Sequence, residues 1–411
     1  MENIYDFSNP EKVILFSGPF CVEVNSKKYI GDGDAFIELR RQSSIVLSIK
    51  IAIKAEDWAD FQDYFAVRIY HDNVLLDFFV TNCTLKPDYS VTIRSVAKED
   101  PLHFAGNSLT VMDKVIANFI NLNYFCSHRL VLESAPWKVI FTPCIDGQKE
   151  REIIYDGGYA LTHQAEILTS SGQDFTGKNV STFLDFFRFF LFFVTGNRHT
   201  AVSPVGFKNS KCIWSQWGSP FARFNPIHTW FSRKYPEILI DVFPKFYSSW
   251  NNGWEKTFRE ACNWYVIAND SENGIDAGTI VAQAALERLS FDYFVTNGSL
   301  SDEAYKKTYR IAEQKIDGIL TSLNIPTIIP VYTPKLSTFS SVGNAIAQVR
   351  NDIVHPRKNL PLDIETAEQA WRLSVYCLEL IILAICGYRG KFGNRLDAHR
   401  YEHVVESVPW T

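Results

Sequence analysis

At about Trp250 the hydrophobic period of the chain changes, and this change constrains the fold more than any other feature. Upstream, apolar side chains alternate or run in short β-branched and aromatic blocks: "AFIELRRQSSIVLSIKIAI", "YFAVRIYHDNVLLDFFVTNC", "YSVTIRSVA" and "WKVIFTPCI". Successive residues of a strand face opposite sides, so these blocks predict short strands of an antiparallel sheet or sandwich, with "HDN" as a hairpin turn. "SLTVMDKVIANFINLNYF" reads as a helix or a strand crossing the sheet, and "GDGD" at Gly31 to Asp34 as a turn too short for calcium-ligand spacing. No glycine-rich loop follows a strand, so a nucleotide fold has no support.

Downstream, apolar residues recur every three or four positions. "WEKTFREACNWYVIAND", "NGIDAGTIVAQAALERLSFDYFV", "SDEAYKKTYRIAEQKIDGILTSL", "LSTFSSVGNAIAQVRNDIVH" and "DIETAEQAWRLSVYCLELIILAICGY" predict five helices. Ser301 caps the third, and Pro356 ends the fourth. Short links between amphipathic helices predict an up-and-down bundle. Between the two regimes, "STFLDFFRFFLFFVTG" predicts a helix capped by Ser181 or Thr182 and stopped by Gly196. A segment with Trp214, Trp217 and Trp230 follows, broken by Pro220, Pro226 and Pro236. Its indoles pin it to a neighbouring surface. A sharper reading makes them a base-stacking platform beside Arg223 and Arg233. The expected architecture is α+β and multidomain. It comprises a β-rich, sandwich-like domain at 1–150, a mixed aromatic-rich linking or sensor region at 151–250, a helical bundle at 251–390 and a tail at 391–411.

A net charge of -5 argues against broad nonspecific binding to duplex nucleic acid, although a local basic pocket suffices for RNA chemistry. The eight cysteines form no CxxC pair. They read as reduced core residues of a cytoplasmic protein, without a zinc site. The start, "MENIYDFSNPEKVILFSGPF", is not patterned as a signal peptide. "FLDFFRFFLFFV" and "SVYCLELIILAICGY" are too short to span a bilayer and are interrupted by Asp185, Arg188 and Glu379. No membrane, cofactor or metal is expected.

The chemistry-bearing stretch is "QVRNDIVHPRK", Gln348 to Lys358. On a helix, Asn351 and His355 share a face, while Ile346, Val349 and Ile353 turn to the core. Arg350 is offset from His355 by roughly 140°, within reach of a long guanidinium at a tightening last turn. An imidazole with an ordinary pKa of about 6.5 moves protons in either direction near neutrality. An arginine holds phosphate with a rigid fork of donors and stabilises charge growing on its oxygens. Arg350 and His355, with Asn351 orienting the imidazole, therefore suit metal-free RNA cleavage by 2'-hydroxyl attack. Asp352 and Glu287 are candidate supports, Glu287 through an ion pair to Arg350 or as a solvent-facing carboxylate. Arg357 and Lys358 are candidate RNA contacts, and Arg395 and His399 in the tail have a structural role. The plain alternative is a solvated helix end, where Arg and His favour the negative pole.

Here the chain resembles the HEPN superfamily of four- or five-helix bundles. The resemblance rests on "AIAQVRNDIVHP" on the penultimate long helix, where four residues separate Arg350 from His355, and on "AGTIVAQAALERL" with Glu287. The ending "GYRGKFGNRLDAHRYEHVVESVPW" is similar to the tails of large antiphage ApeA-like members with β-rich N-terminal parts. The resemblance covers about 250 to 411. It implies a metal-independent endoribonuclease of antiphage defence or toxin-type growth arrest. Arg350 and His355 would perform its chemistry, supported by Asn351, in a homodimer or higher oligomer restrained until a phage-derived or protein trigger acts. Members that lose activity serve as binding or assembly modules.

Overall fold

The computed structural model describes residues 5, 11–39, 43–57, 59–62, 66–71, 74–98, 101–122, 125–144, 158–219, 227–355, 362–397 and 404–410. The architecture is α+β, β-rich as far as Trp217 and helical from Ile238 to Ile385. The chain forms two compact units. The first takes 1–129, 135–184 and 199–224, and the second takes 130–134, 185–198 and 225–411.

The first unit opens with a closed barrel of β1 (Lys12–Val24), β2 (Lys27–Glu38), β3 (Ser44–Ala52), β4 (Ala66–His71), β5 (Val74–Leu85) and β6 (Ser90–Ala97), ordered β1-β2-β3-β6-β5-β4. Closure removes the unpaired edges that an open sheet would present. Alternation supplies the interior: Ile45, Leu47, Ile49 and Ile51 of β3 are buried with Phe20, Val22 and Val24 of β1. Strands β4 and β5 pair antiparallel on either side of "HDN", with His71 opposite Val74, and Asp72 and Asn73 lie outside the described residues.

The "GDGD" stretch is not a turn. It lies inside β2, with Gly31 opposite Phe20 and Ile51, and Gly33 opposite Gly18 and Ile49. A side chain is excluded there, because a Cβ at Gly33 would sit 2.2 Å from the Ser48 carbonyl oxygen. Glycine thus permits close strand approach rather than chain reversal. Gly33→Ala is expected to destabilise the barrel by about 1–3 kcal/mol through overpacking, read as a lower urea midpoint. An unchanged midpoint would refute the close approach.

A second sheet contains the run β11-β12-β9-β14-β15-β7. Its strands are β7 (Leu102–Ala105), β9 (Lys114–Ile120), β11 (Trp137–Pro143), β12 (Leu161–Thr169), β14 (Val202–Lys208) and β15 (Lys211–Trp217). The short β8 (Val111–Met112) pairs with β13 (Phe175–Thr176), and β10 (Leu130–Ser134) counts with the second unit. Within "SLTVMDKVIANFINLNYF", Val111–Met112 and Lys114–Ile120 are therefore strand, buried continuously from Val115 to Ile120. Strands after residue 160 interleave with strands before 144, so the boundary expected at 150 falls within one unit.

The tryptophans are not a base-stacking platform. Trp214, Trp217 and Trp230 are each 0% exposed. Trp217 stacks on Phe104 at 3.7 Å between centroids in the first unit, and Trp230 stacks on Phe193 at 5.0 Å in the second. Faces covered by protein rings cannot receive bases. Arg223 lies outside the described residues.

Helix α1 (Gly177–Thr195) begins a turn before Ser181. Thr176 caps it, its hydroxyl accepting from the Asn179 N–H while its own N–H donates to Asn179 Oδ1. Gly196, at φ +66°, ends it. Asp185 pairs with Arg188 at 2.9 Å and with Arg259. Among the described residues, no helix is long and apolar enough to cross a membrane.

The second unit contains α2 (Ile238–Ser249), α3 (Glu255–Asn269), α4 (Gly274–Phe291), α5 (Asp302–Thr308), α6 (Ala312–Ser322), α7 (Val342–Val354) and α8 (Ile364–Ile385), with a small ribbon of β16 (Lys391–Phe392) and β17 (Glu406–Ser407). Helix α4 packs against α3, α6, α7 and α8. Helix α2 was not expected; Ile238, Leu239, Val242, Phe243 and Phe246 are buried at helical spacing, with Pro244 inside the helix. "SDEAYKKTYRIAEQKIDGILTSL" forms two helices instead of one. Between them Tyr309 leaves helical geometry and stacks on Phe294 at 4.7 Å. Ser301 caps α5 as expected, accepting from the Ala304 N–H. Of the cysteines, Cys144 and Cys212 are exposed rather than core residues.

Candidate active site at the end of helix α7

Helix α7 is fixed at its N-terminus, and its last residues, Val354 and His355, are exposed. Ser341 caps it through the Asn344 N–H, and Asp317 of α6 accepts from the Ser341 hydroxyl at 2.5 Å and the Gly343 N–H at 2.8 Å. Burial raises the Asp317 carboxyl above its usual range, and these two hydrogen bonds oppose the shift. A Cβ at Gly343 would meet the Glu313 carbonyl oxygen at 2.6 Å, so glycine sets how closely α6 and α7 approach. Val342, Ala345, Ile346 and Val349 form the buried face. Ile353, placed with them by its spacing, is only half-buried as the helix runs out.

The other face carries the candidate chemistry. Arg350 is half-buried, and its Nη1 donates to Asn351 Oδ1 at 3.4 Å. Asn351 and His355 are exposed, and Asp352 is half-buried. His355 is the C-cap, at φ -126° and ψ 68°, and its main-chain N–H closes the last turn on the Asn351 carbonyl at 2.7 Å. That bond is the one a regular helical turn makes, so Asn351 and His355 stand one turn apart at the end of the helix, with Arg350 next to Asn351. Arg357 and Lys358 lie outside the described residues.

Glu287 does not hold Arg350. It pairs with Lys315 of α6 at 2.7 Å and accepts from Gln283 at 3.0 Å, so its carboxylate ties α4 to α6. It is half-buried rather than solvent-facing. Arg395 is 6% exposed and pairs with Glu379 of α8 at 2.9 Å, a structural role. His399 lies outside the described residues. Among the described residues, no group of three or more His, Cys, Asp or Glu is placed to hold a metal ion.

Sequence reasoning missed two polar centres. One is the Glu379–Arg395 pair, signalled only by a lone acid in "CLELIILAI". The other is a pair of buried imidazoles, His163 and His199, in the first unit. Neither belongs to a motif, and each is made by residues far apart in the chain.

Two family models match the chain: the YopA central domain over residues 106–226 and the YopA C-terminal domain over residues 251–406. Among curated proteins, the SPbeta prophage-derived uncharacterized protein YopA of Bacillus subtilis (strain 168) is 28% identical over 338 residues, covering 77% of this chain and 76% of that protein. No solved structure matches the chain. The matched segments correspond to the second sheet and to the helical region carrying Arg350 and His355.

Proposed function

We propose that the helical unit is a HEPN-like, metal-independent endoribonuclease working in the cytoplasm, with Arg350 and His355 as its catalytic residues. The observation that carries this reading is the exposed end of α7. There a guanidinium bonded to a neutral amide and an exposed imidazole share a closing turn whose opposite face is buried. His355 takes the proton of the ribose 2'-hydroxyl, and that oxygen attacks the adjacent phosphorus. The bond from phosphorus to the 5'-oxygen breaks, and the leaving oxygen receives a proton from the imidazolium. The products are a 2',3'-cyclic phosphate and a 5'-hydroxyl. Arg350 stabilises the charge that grows on the phosphoryl oxygens, and Asn351 orients the groups around it. Arg357 and Lys358 follow in the sequence and supply positive charge for the RNA backbone.

The similar Bacillus protein is named as prophage-derived. A ribonuclease held quiet until a phage-derived or protein trigger arrives suits a chain of that origin, in defence against other phages or in growth arrest. Two chains with facing α7 ends would supply two imidazoles, one for each proton transfer.

A second reading, a non-catalytic binding or assembly module, is favoured by one observation. Ile328 and Val331, before α7, are 81% and 86% exposed and offer apolar surface for contact. Fluorescent RNA incubated with the full chain in excess chelator separates the two, with and without lysate from phage-infected cells. Cleavage leaving cyclic phosphate ends is expected. Intact RNA in both conditions rejects the nuclease and leaves the assembly module.

A further inference from the structure

Two imidazoles lie inside the first unit. His163, on β12, is 1% exposed, and His199, four residues before Ser203 of β14, is 5% exposed. Both rings sit at the same end of β9. His163 is opposite Phe119 in the ladder, and His199 hydrogen-bonds to the main chain of the next residue, Ile120. The His163 Nε2 lies 2.9 Å from the Cys126 carbonyl oxygen. A carbonyl only accepts, so Nε2 carries the proton and Nδ1 a lone pair. Among the described residues, neither His163 Nδ1 nor His199 Nδ1 meets a partner in good hydrogen-bond geometry, although the Leu122 main chain also acts on the His163 ring, and both atoms are buried.

Main-chain hydrogen bonds at Cys126 and Leu122 for His163, and at Ile120 for His199, favour the charged rings, but burial outweighs them and no acidic side chain among the described residues adds to them. Around His163 stand Phe119 of β9, Pro143 of β11 and the edge-on ring of Phe125 at 6.3 Å. Cys126, buried and thiol-bearing, bonds to His163 through its carbonyl. Among the described residues, the one side-chain charge acting on His199 is His163, and no carboxylate acts on either ring. Burial above all holds His163 down to about 4 and His199 down to about 3, against an ordinary 6.5.

We propose that His163 and His199 form a two-proton acid latch, closing residues 199–202 onto the β9–β12 end of the sheet when both rings are neutral and releasing them on acidification. The closed state excludes the imidazolium form, whereas the open state hydrates both rings and restores their ordinary pKa of about 6.5. For a histidine with a depressed folded pKa, stabilisation is complete above the open-state value and is lost as pH falls below it. Opening therefore takes up two protons in the window between the ordinary and the depressed values. The ratio of open to closed rises about 100-fold per pH unit there, against about 10-fold for a single ring.

Hydrogen exchange on the full chain, corrected for the intrinsic pH dependence of exchange, tests this. From about pH 6 to about pH 5, opening at β9, β12 and β14 should rise about 50-fold in wild type relative to the barrel strands, because each ring is already partly protonated in the open state at about pH 6. It should rise about 10-fold in His163→Gln or His199→Gln, and stay level in the double variant. The slope is read within each protein, so a general loss of stability does not mimic it. Should the variants fail to fold, the wild-type slope decides alone. A rise of about 10-fold or less in wild type overturns the latch, as does an unchanged slope in either single variant.

Discussion

Glu379→Ala is expected to destabilise the helical unit by about 3–5 kcal/mol, the cost of leaving a buried charge without its partner. Glu379 is 1% exposed and Arg395 is 6% exposed. Both Glu379 oxygens accept hydrogen bonds. Glu379 Oε1 receives the Tyr265 hydroxyl at 2.5 Å and the Trp230 N–H at 3.1 Å, and Oε2 receives Arg395 Nε at 3.1 Å. Arg395 Nη2 donates to the His228 carbonyl at 2.5 Å and to Asn269 Oδ1 at 2.8 Å. Burial pushes the Tyr265 phenol well up, so it stays a donor to the carboxylate. The pair joins the tail, α3, α8 and the segment around Trp230 into one cluster. Arg395→Ala should cost a similar amount. The double variant Glu379→Leu/Arg395→Met, which buries no charge, should recover much of the loss. Urea titration followed by the helical dichroism signal measures all three. A single alanine variant within about 1 kcal/mol of wild type would show that water already reaches the pair.

His355→Ala is expected to lower the RNA cleavage rate by at least about 100-fold, the lower end of what a positioned general base contributes. Its urea midpoint should match wild type, because His355 is exposed and its bond to Asn351 uses only the main chain. Arg350→Lys should retain binding and lose rate, since an ammonium keeps the charge but not the planar fork. Rates at saturating RNA, compared with urea midpoints, separate chemistry from folding. Full activity in His355→Ala would transfer the base to another group while leaving α7 itself unaffected.

Much of the fold was legible because local pattern and tertiary environment agree. The strands from Ser44 to Ala97 and the helices from Glu255 to Ile385 follow their hydrophobic periods, and Ser301 and Gly196 punctuate them as read. Misreadings arose where a local signal had two physical uses. Glycines at 31 and 33 suit a turn, but here they let backbones approach closely. The stretch before Trp250 was read as mixed, yet apolar spacing on both sides of Pro244 carries α2 through it. Tyr309 sits in helical pattern, yet its stacking on Phe294 outweighs one more turn of helix.

At the candidate site, the sequence alone determined the helix, its buried face and the nearness of Arg350, Asn351 and His355, because all three lie within about two turns of one element. Tertiary structure decided what could not be local. It placed Glu287 on Lys315 rather than Arg350, sealed three indoles, and buried Glu379 with Arg395 and His163 near His199. Period records which face of an element avoids water. Which distant partner satisfies a charge depends on how elements pack, and no spacing along the chain encodes that.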